Sequence, residues 1–185
     1  MKLVFWRGST TGSKDIDLNT LKLNRRYQLT RFSLTQADRL DARFNQVVQC
    51  RDEIAQEQVE LLLKREGLLT TTVSPWNAAL HAWQIDIDGN VNSWGLLWKL
   101  LSGSCILRVE SPRRQWFHHR LRPWEHLVPV RADLSDLDAK LTWCLSHRKE
   151  CAAIAQAGQS LALEVVDEIE DDLTRAGVLY AQAWL

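Results

Sequence analysis

The 185-residue chain lacks most of what would assign a function by composition. It carries no net charge, with 23 Lys and Arg against 23 Asp and Glu. No global basic surface therefore points to nucleic acid, whose binding rests on phosphate neutralisation. No stretch approaches the roughly 20 apolar residues of a membrane span. The start, Met1-Lys2-Leu3-Val4-Phe5-Trp6, meets Arg7-Gly8 too soon to be read as a secretory leader. The four cysteines, Cys50, Cys105, Cys144 and Cys151, form no C-x-x-C pair and no zinc spacing, and read as free buried thiols in a reducing, cytoplasmic setting. H-E-x-x-H, G-x-S-x-G and G-x-G-x-x-G are all missing, as are internal repeats and low-complexity segments.

What is present is an ordinary globular composition, 45% hydrophobic and 25% charged, on a chain of single-domain length. Nine tryptophans are many for this length. Most are expected in the core or at an interface, and some could stack on a sugar or a base. Charge is locally uneven. Arg113, Arg114, His118, His119, Arg120 and Arg122 form a basic run, and Glu164, Asp167, Glu168, Glu170, Asp171 and Asp172 an acidic one. Solvated helix faces explain both. The basic run would alternatively attract the phosphates of an acceptor, or a membrane surface on which the protein sits peripherally.

The pattern changes along the chain. Leu3 to Trp6 reads as a strand, followed by a small-residue loop, Arg7 to Ser13. A short helix fits Asn24 to Thr30. Thr35 to Val48 reads as a helix, with Thr35 as cap and Leu40, Phe44 and Val47 at helical spacing. Glu53 to Arg65 is a second helix closed by Gly67, and Thr70 to Asn77 is a loop. The remainder alternates: strand Trp83–Ile87, helix Ser93–Leu101 capped by Ser93, strand Ser104–Val109, short helix Arg113–Leu121, strand His126–Val130, then helices Asp133–Ser146, Arg148–Val166 and Asp171–Trp184. Alternating strands and helices predict a three-layer α/β domain with a mainly parallel sheet, and a ligand at the C-terminal ends of the strands.

Two segments carry candidate chemistry. Gly8-x-x-x-Gly12-Ser13-Lys14 is one residue short of a phosphate loop and has Asp15 where Ser or Thr belongs, which excludes an ATPase reading. A strand running into Arg7-Gly8-Ser9 still suits a diphosphate: charge from Arg7, close backbone approach at Gly8, a hydroxyl from Ser9. The polar turn Asn90-Val91-Asn92-Ser93-Trp94-Gly95 precedes a helix whose first N–H groups would favour an anion. Asp86-Ile87-Asp88 is either a strand-end turn or a pair of carboxylates on one face holding a divalent metal. An EF-hand is excluded, because Val91 and Leu97 occupy its glycine and twelfth positions. His126 is either a substrate ligand or a hydrogen-bonded histidine at a strand mouth.

Three blocks together resemble glycosyltransferase family 90, which includes protein O-glucosyltransferases, capsule-associated xylosyltransferases and bacterial lipopolysaccharide glycosyltransferases. They are Trp6 to Thr11, Asp88-Gly89 through Ser93 to the Leu100–Ser104 turn, and Leu121 to Leu137, where Pro-Trp-x-His-x-x-Pro-Val-x-x-Asp-Leu-Ser is specific. Ser93-Trp94 and Trp98 to Leu101 look most like the lipopolysaccharide branch. The resemblance implies the Rossmann-like C-terminal domain of a GT-B enzyme and inverting transfer, often of glucose, from a UDP-sugar to a lipopolysaccharide or other glycan acceptor, with no metal or other cofactor. It implies that Ser9 and the Asn90–Gly95 loop contact the donor diphosphate and sugar, and that a family arginine, Arg26 in preference to Arg25, neutralises the pyrophosphate.

Two departures qualify these expectations. Many family members carry an arginine at the position of Gly95, and Lys99, one helical turn on, is expected to substitute. The family's catalytic aspartate lies ahead of the Arg-Gly-Ser block at which this chain begins. Residues 1–185 are thus expected to be one nucleotide-sugar-binding domain without the general base, partnered by a separate N-terminal half. The alternatives are a non-catalytic UDP-sugar-binding or decayed fragment, and a metal-dependent transferase using Asp86 and Asp88.

Overall fold

The computed structural model describes residues 3–182, with side chains through residue 176. Five strands form one parallel sheet: β1 (Val4–Ser9), β2 (Leu40–Gln46), β3 (Trp83–Asp86), β4 (Cys105–Val109) and β5 (Val128–Val130), in the order β2-β1-β3-β4-β5. Helices α1 (Arg25–Thr35), α2 (Glu53–Arg65), the single turn α3 (Pro75–Ala78), α4 (Leu96–Leu101), α5 (Leu137–Ser146) and α6 (Arg148–Gln182) complete the described fold, with 3-10 turns at Thr20–Leu23 and Trp116–Arg120.

Strand side chains alternate between two faces. Trp6, Ile85, Cys105 and Leu107 enter one core, with Leu29 of α1, Val59 and Leu63 of α2, and Leu137 and Leu141 of α5. Ile106 points the other way, into a second core with Leu96 and Leu100 of α4 and Ala162 and Val165 of α6. Two cores on opposite faces make the expected three-layer α/β domain. Burying both sets of side chains is the main drive for the fold, at about 25 cal/mol per Å² of apolar surface.

Four expectations need correction. Thr35–Val48 is not a helix: Thr35 ends α1, and Leu40–Gln46 is strand β2. A spacing of four residues returns to the same face in a helix and in a strand, so Leu40 and Phe44 fitted both. Ala42 decides, because Leu40, Ala42 and Phe44 are buried while Asp41 and Arg43 are not. Ser93 does not cap α4, which starts at Leu96 behind Gly95. The segment His126–Val130 is strand only from Val128, because Trp124 has a φ of +66° and its N–H donates to the Leu127 carbonyl, closing a turn there. The two C-terminal helices are one, α6, since no glycine or proline interrupts Val166 to Asp171. Trp184 lies outside the described residues.

Candidate functional site

The sheet order sets the position of the site. From β1 the sheet continues to β2 on one side and to β3, β4 and β5 on the other. The loops after β1 and β3 therefore leave in opposite directions, opening a crevice at their C-terminal ends, where parallel α/β sheets bind ligands. The ladder there is thin: β1 pairs with β2 through six residues, but with β3 only through Phe5 and Gln84.

A cleft of about 510 Å³ occupies this crevice. All the residues expected at the donor site line it: Arg7, Gly8 and Ser9 from the end of β1, Arg26 from α1, Asn90, Val91, Asn92, Ser93, Trp94 and Gly95 from the loop after β3, and Lys99 from α4. They differ in what their side chains are free to do. The Ser9 hydroxyl makes only a long bond, 3.3 Å, to Thr11 Oγ1. Trp94 is 83% exposed and Val91 51%. Asn90 stitches the two loops, its Oδ1 accepting from Gly12 N–H at 2.9 Å.

Arg26 is a strut between the loops. Asn24 caps α1, accepting from the N–H groups of Arg26 and Tyr27, and so aims Arg26 at the crevice. Its guanidinium donates to the carbonyls of Ser9, Ile87 and Asp88 and to Thr11 Oγ1. Burial pushes its pKa down to about 10, against the pull of Asp86 and Asp88. Arg25 instead reaches Gln28 at the surface. Arg7 is engaged with the Asp41 carboxylate of β2 at 2.7 Å and lies over the Phe5 ring. Gly89 is small by necessity: a Cβ there would come within 2.7 Å of Thr11 Oγ1 and 3.0 Å of Arg26 Nη2.

Behind the loop lies a buried charge cluster. Asp86 is fully buried; Oδ1 accepts from the Ser93 hydroxyl at 2.6 Å and from Lys99 Nζ at 2.9 Å, and Oδ2 pairs with Arg108 of β4. Lys99 also donates to the Ile85 carbonyl. Asp88 Oδ1 accepts from Ser93 N–H at 2.8 Å and stands 3.8 Å from Arg108 Nη2. Ser93 is therefore pinned by both aspartates, and its carbonyl accepts from Gln115 Nε2. Three cations, Arg26, Lys99 and Arg108, face two carboxylates, and of these five groups only Arg26 and Lys99 line the cleft.

Several of these expected roles shift. Lys99 does not stand free in place of an arginine at Gly95, because Asp86 holds it. An arginine at Gly95 would require the Trp98 ring to shift, since a Cβ there meets Trp98 Nε1 at 2.9 Å. The aspartate pair is poorly disposed for a metal: both oxygens of Asp86 are already engaged, and no metal-binding cluster of three His, Cys, Asp or Glu side chains occurs among the described residues. His126 sits outside the cleft, with Nδ1 accepting from Arg122 N–H. Sequence reasoning missed Thr11, Gln115 and Arg108. Thr11 closes the Trp6–Thr11 block but was given no role there, nothing local marks Gln115 or Arg108, and only the parallel register brings Arg108 opposite Asp86.

Comparison with known proteins places this geometry. The family model described as Glycosyl transferase family 90 matches residues 2–171. Protein O-glucosyltransferase 2 of Danio rerio is 36% identical over 96 residues, covering 52% of this chain and 19% of the relative. Protein 035R of Invertebrate iridescent virus 3 is 33% identical over 159 residues, covering 84% of this chain and 14% of the relative. The chain thus spans less than a fifth of the length of these relatives. Among solved structures, Anabaena HepE in complex with UDP-glucose aligns with a TM-score of 0.59 at 10% identity, over 94% of this chain and 49% of HepE. The C-terminal domain of LpcC, a glycosyl transferase group 1 family protein from Francisella tularensis, aligns with a TM-score of 0.54 at 14% identity, over 87% and 85%. The two structural matches establish the fold, and the family match establishes the lineage: the chain belongs to glycosyltransferase family 90.

Proposed function

We propose that this domain binds a UDP-sugar in the cleft between the β1 and β3 loops and supplies the donor side of an inverting glycosyl transfer, glucose being the leading sugar and a lipopolysaccharide or other glycan the acceptor. The observation that carries the reading is the convergence in one crevice of every residue expected at the donor site, at the switch point of the sheet. The Ser9 hydroxyl and the Asn90–Gly95 turn, apart from the Ser93 N–H that Asp88 holds, face the space for a diphosphate, with Arg26 and Lys99 on the same cleft wall. Such preorganised donors favour the charge that develops on the departing nucleotide. No metal is required in this reading, since Lys99 and Arg108 already occupy Asp86.

One observation favours a second reading, a nucleotide-sugar-binding module without catalysis. Arg7, Arg26 and Lys99 are all engaged with protein groups, and Asp86 is buried beneath cations, out of reach of an acceptor hydroxyl as general base. Titrating the protein with UDP and UDP-glucose, read by tryptophan fluorescence and calorimetry, tests what both share. Saturable binding is expected. Its absence in a folded protein removes both. Transfer of glucose to a glycan by the same preparation then separates the enzyme from the module.

A further inference from the structure

On one face of the sheet the helices leave a gap. Phe5, Gln84 and Ile106 are successive register partners across β1, β3 and β4, so their side chains share a face. Over Ile106 that face is covered by α4 and α6. Over Phe5 it meets only the single turn α3 and the flank of α4, and a pocket of about 130 Å³ remains between them. The pocket is lined by Phe5, Trp6 and Trp98 and, from the α3 side, by Val73, Pro75 and Ala78.

This annex adjoins the donor cleft, with which it shares Trp6, Arg7, Asn45, Trp98 and Lys99. It reaches down the sheet face rather than across the strand ends. Phe5 lies four residues, about 13 Å, back along β1 from Ser9.

The lining narrows the ligand by exclusion. No Asp or Glu lines the annex, so nothing there would hold a cation. Its two cations, Arg7 and Lys99, are paired with Asp41 and Asp86, so an anion finds no free charge. Unspent polar groups nevertheless face a purely apolar guest. Asn45 stands two residues beyond Arg43, the register partner of Arg7, and so on the same sheet face. Its half-buried amide makes no hydrogen bond to a described residue, and it offers a donor and an acceptor together. Arg7 spends its terminal nitrogens on Asp41 and the Trp6 carbonyl, which leaves its buried Nε–H without a partner among the described residues. Buried polar groups are nearly always paired, so this one marks a place where a ligand completes the bonding. Adjacent hydroxyl groups, each able to donate and accept, answer an amide beside an N–H. The half-buried Trp98 indole suits the C–H face of the ring that carries them. Apolar walls with a few placed polar groups are the usual make-up of a small-molecule site.

We infer that the annex receives a neutral pyranose ring of the acceptor glycan, held by Asn45 and Arg7 against Trp98. The inference rests on the donor reading above and adds an acceptor subsite on the same domain. The donor's own sugar is tethered to a diphosphate at the strand ends, where the cleft of about 510 Å³ has room for both.

The test is ligand-observed NMR titration with the methyl glycosides of glucose, galactose and mannose, on protein saturated with UDP or with UDP-glucose. At least one glycoside is expected to bind saturably, with the same affinity beside either nucleotide. Asn45→Ala should weaken it by roughly three- to tenfold, as loss of hydrogen bonds to hydroxyls does. Val73→Trp should fill the annex and abolish glycoside binding. Val73 does not line the donor cleft, so this variant should bind UDP as wild type does, with thermal melts to verify folding. Should Asn45→Ala fail to fold, Val73→Trp carries the same comparison. No saturable glycoside binding overturns the inference, as does binding that the folded variants leave unchanged. Displacement of the glycoside by UDP-glucose but not by UDP assigns the annex to the donor's sugar and overturns it too. In those cases the donor reading survives if Ser9→Ala still weakens UDP. Absence of UDP binding to folded wild type overturns both.

Discussion

Asp86 on β3 and Arg108 on β4 are register partners in the parallel ladder, and their side chains form an ion pair in which the carboxylate is wholly buried. Burial alone would oppose ionisation, but Lys99 and Arg108 hold the Asp86 carboxyl below its usual value. Removing one partner of such a cluster leaves uncompensated buried charge, at a cost of about 3–5 kcal/mol. Asp86→Asn should therefore lower the urea midpoint markedly, with little change in the slope of the transition. Because the folded carboxyl titrates below the unfolded one, the stability it contributes is present above pH 3.8 and is lost as pH falls through its folded value. A variant as stable as wild type at pH 7 would show that the pair contributes nothing.

His118 has the opposite kind of group but the same direction of pH dependence. Its folded pKa of about 4 lies below the ordinary 6.5, mainly through burial and then Arg108, with Asp86 and Asp88 opposing and Arg114 reinforcing. Between those values the unfolded chain takes up a proton that the folded one refuses, so stability falls as pH drops from 6.5 towards 4. The full shift corresponds to about 3 kcal/mol at most. Urea melts of wild type and His118→Phe at pH 7.5, 6 and 4.5 should converge with acid. Parallel curves would place the His118 pKa near its ordinary value.

Ser9 and Ser93 both line the cleft but should fail differently. The Ser9 hydroxyl has only the long contact to Thr11. Ser9→Ala should leave the melting temperature within about 2 °C and weaken UDP by roughly three- to tenfold, the worth of one hydrogen bond. The Ser93 hydroxyl is inside the protein, bonded to Asp86 at 2.6 Å. Ser93→Ala should cost about 1–3 kcal/mol of stability before any effect on binding. The reverse pattern, a stable Ser93→Ala and an unstable Ser9→Ala, would contradict the described geometry.

Gly89 tests the closeness of the two loops. A methyl group there meets Thr11 Oγ1 and Arg26 Nη2 inside contact distance. Gly89→Ala should push the strut away from the β3 loop, costing about 1–3 kcal/mol as overpacking does, and should weaken UDP in parallel. Wild-type melting and binding would mean the loops are free to separate.

Donor binding is expected to be indifferent to divalent cations. UDP titrations in chelator, in Mg²⁺ and in Mn²⁺ should agree within about twofold, since Lys99 and Arg108 already take the charge of Asp86. A tenfold loss in chelator would instead support a metal held by Asp86 and Asp88.

How much of this was legible depended on whether the signal was local. The helix at Glu53–Arg65 and its close at Gly67, whose φ is +69°, follow from adjacent residues. So does the alternation that builds the parallel sheet. Strand β2 was misread because Leu40 and Phe44 satisfy both periods, and tertiary burial rather than spacing breaks the tie. The cleft was legible through its loops, which carry short motifs. Its floor was not. Asp86, Lys99, Arg108 and His118 come from four separate segments; the sequence marks Asp86-Ile87-Asp88 and Lys99 one by one, but not that they meet each other and Arg108. Ser93 shows the same limit: a serine before a helix is the ordinary sign of a cap, yet the buried aspartate competes for its hydroxyl and wins.

The thin ladder between β1 and β3 is also a division of the gene. Every strand and helix on the β2 side is encoded before residue 79, and everything on the β4 side after residue 82. The exposed stretch at Thr71–Thr72 therefore lies where a cut would sever no strand and no helix. A nucleotide lodged in the cleft would touch both pieces and act as a staple between them. Reassembly of two separately expressed fragments would then become a readout of ligand concentration, a sensor whose switch is the weakest join in the sheet.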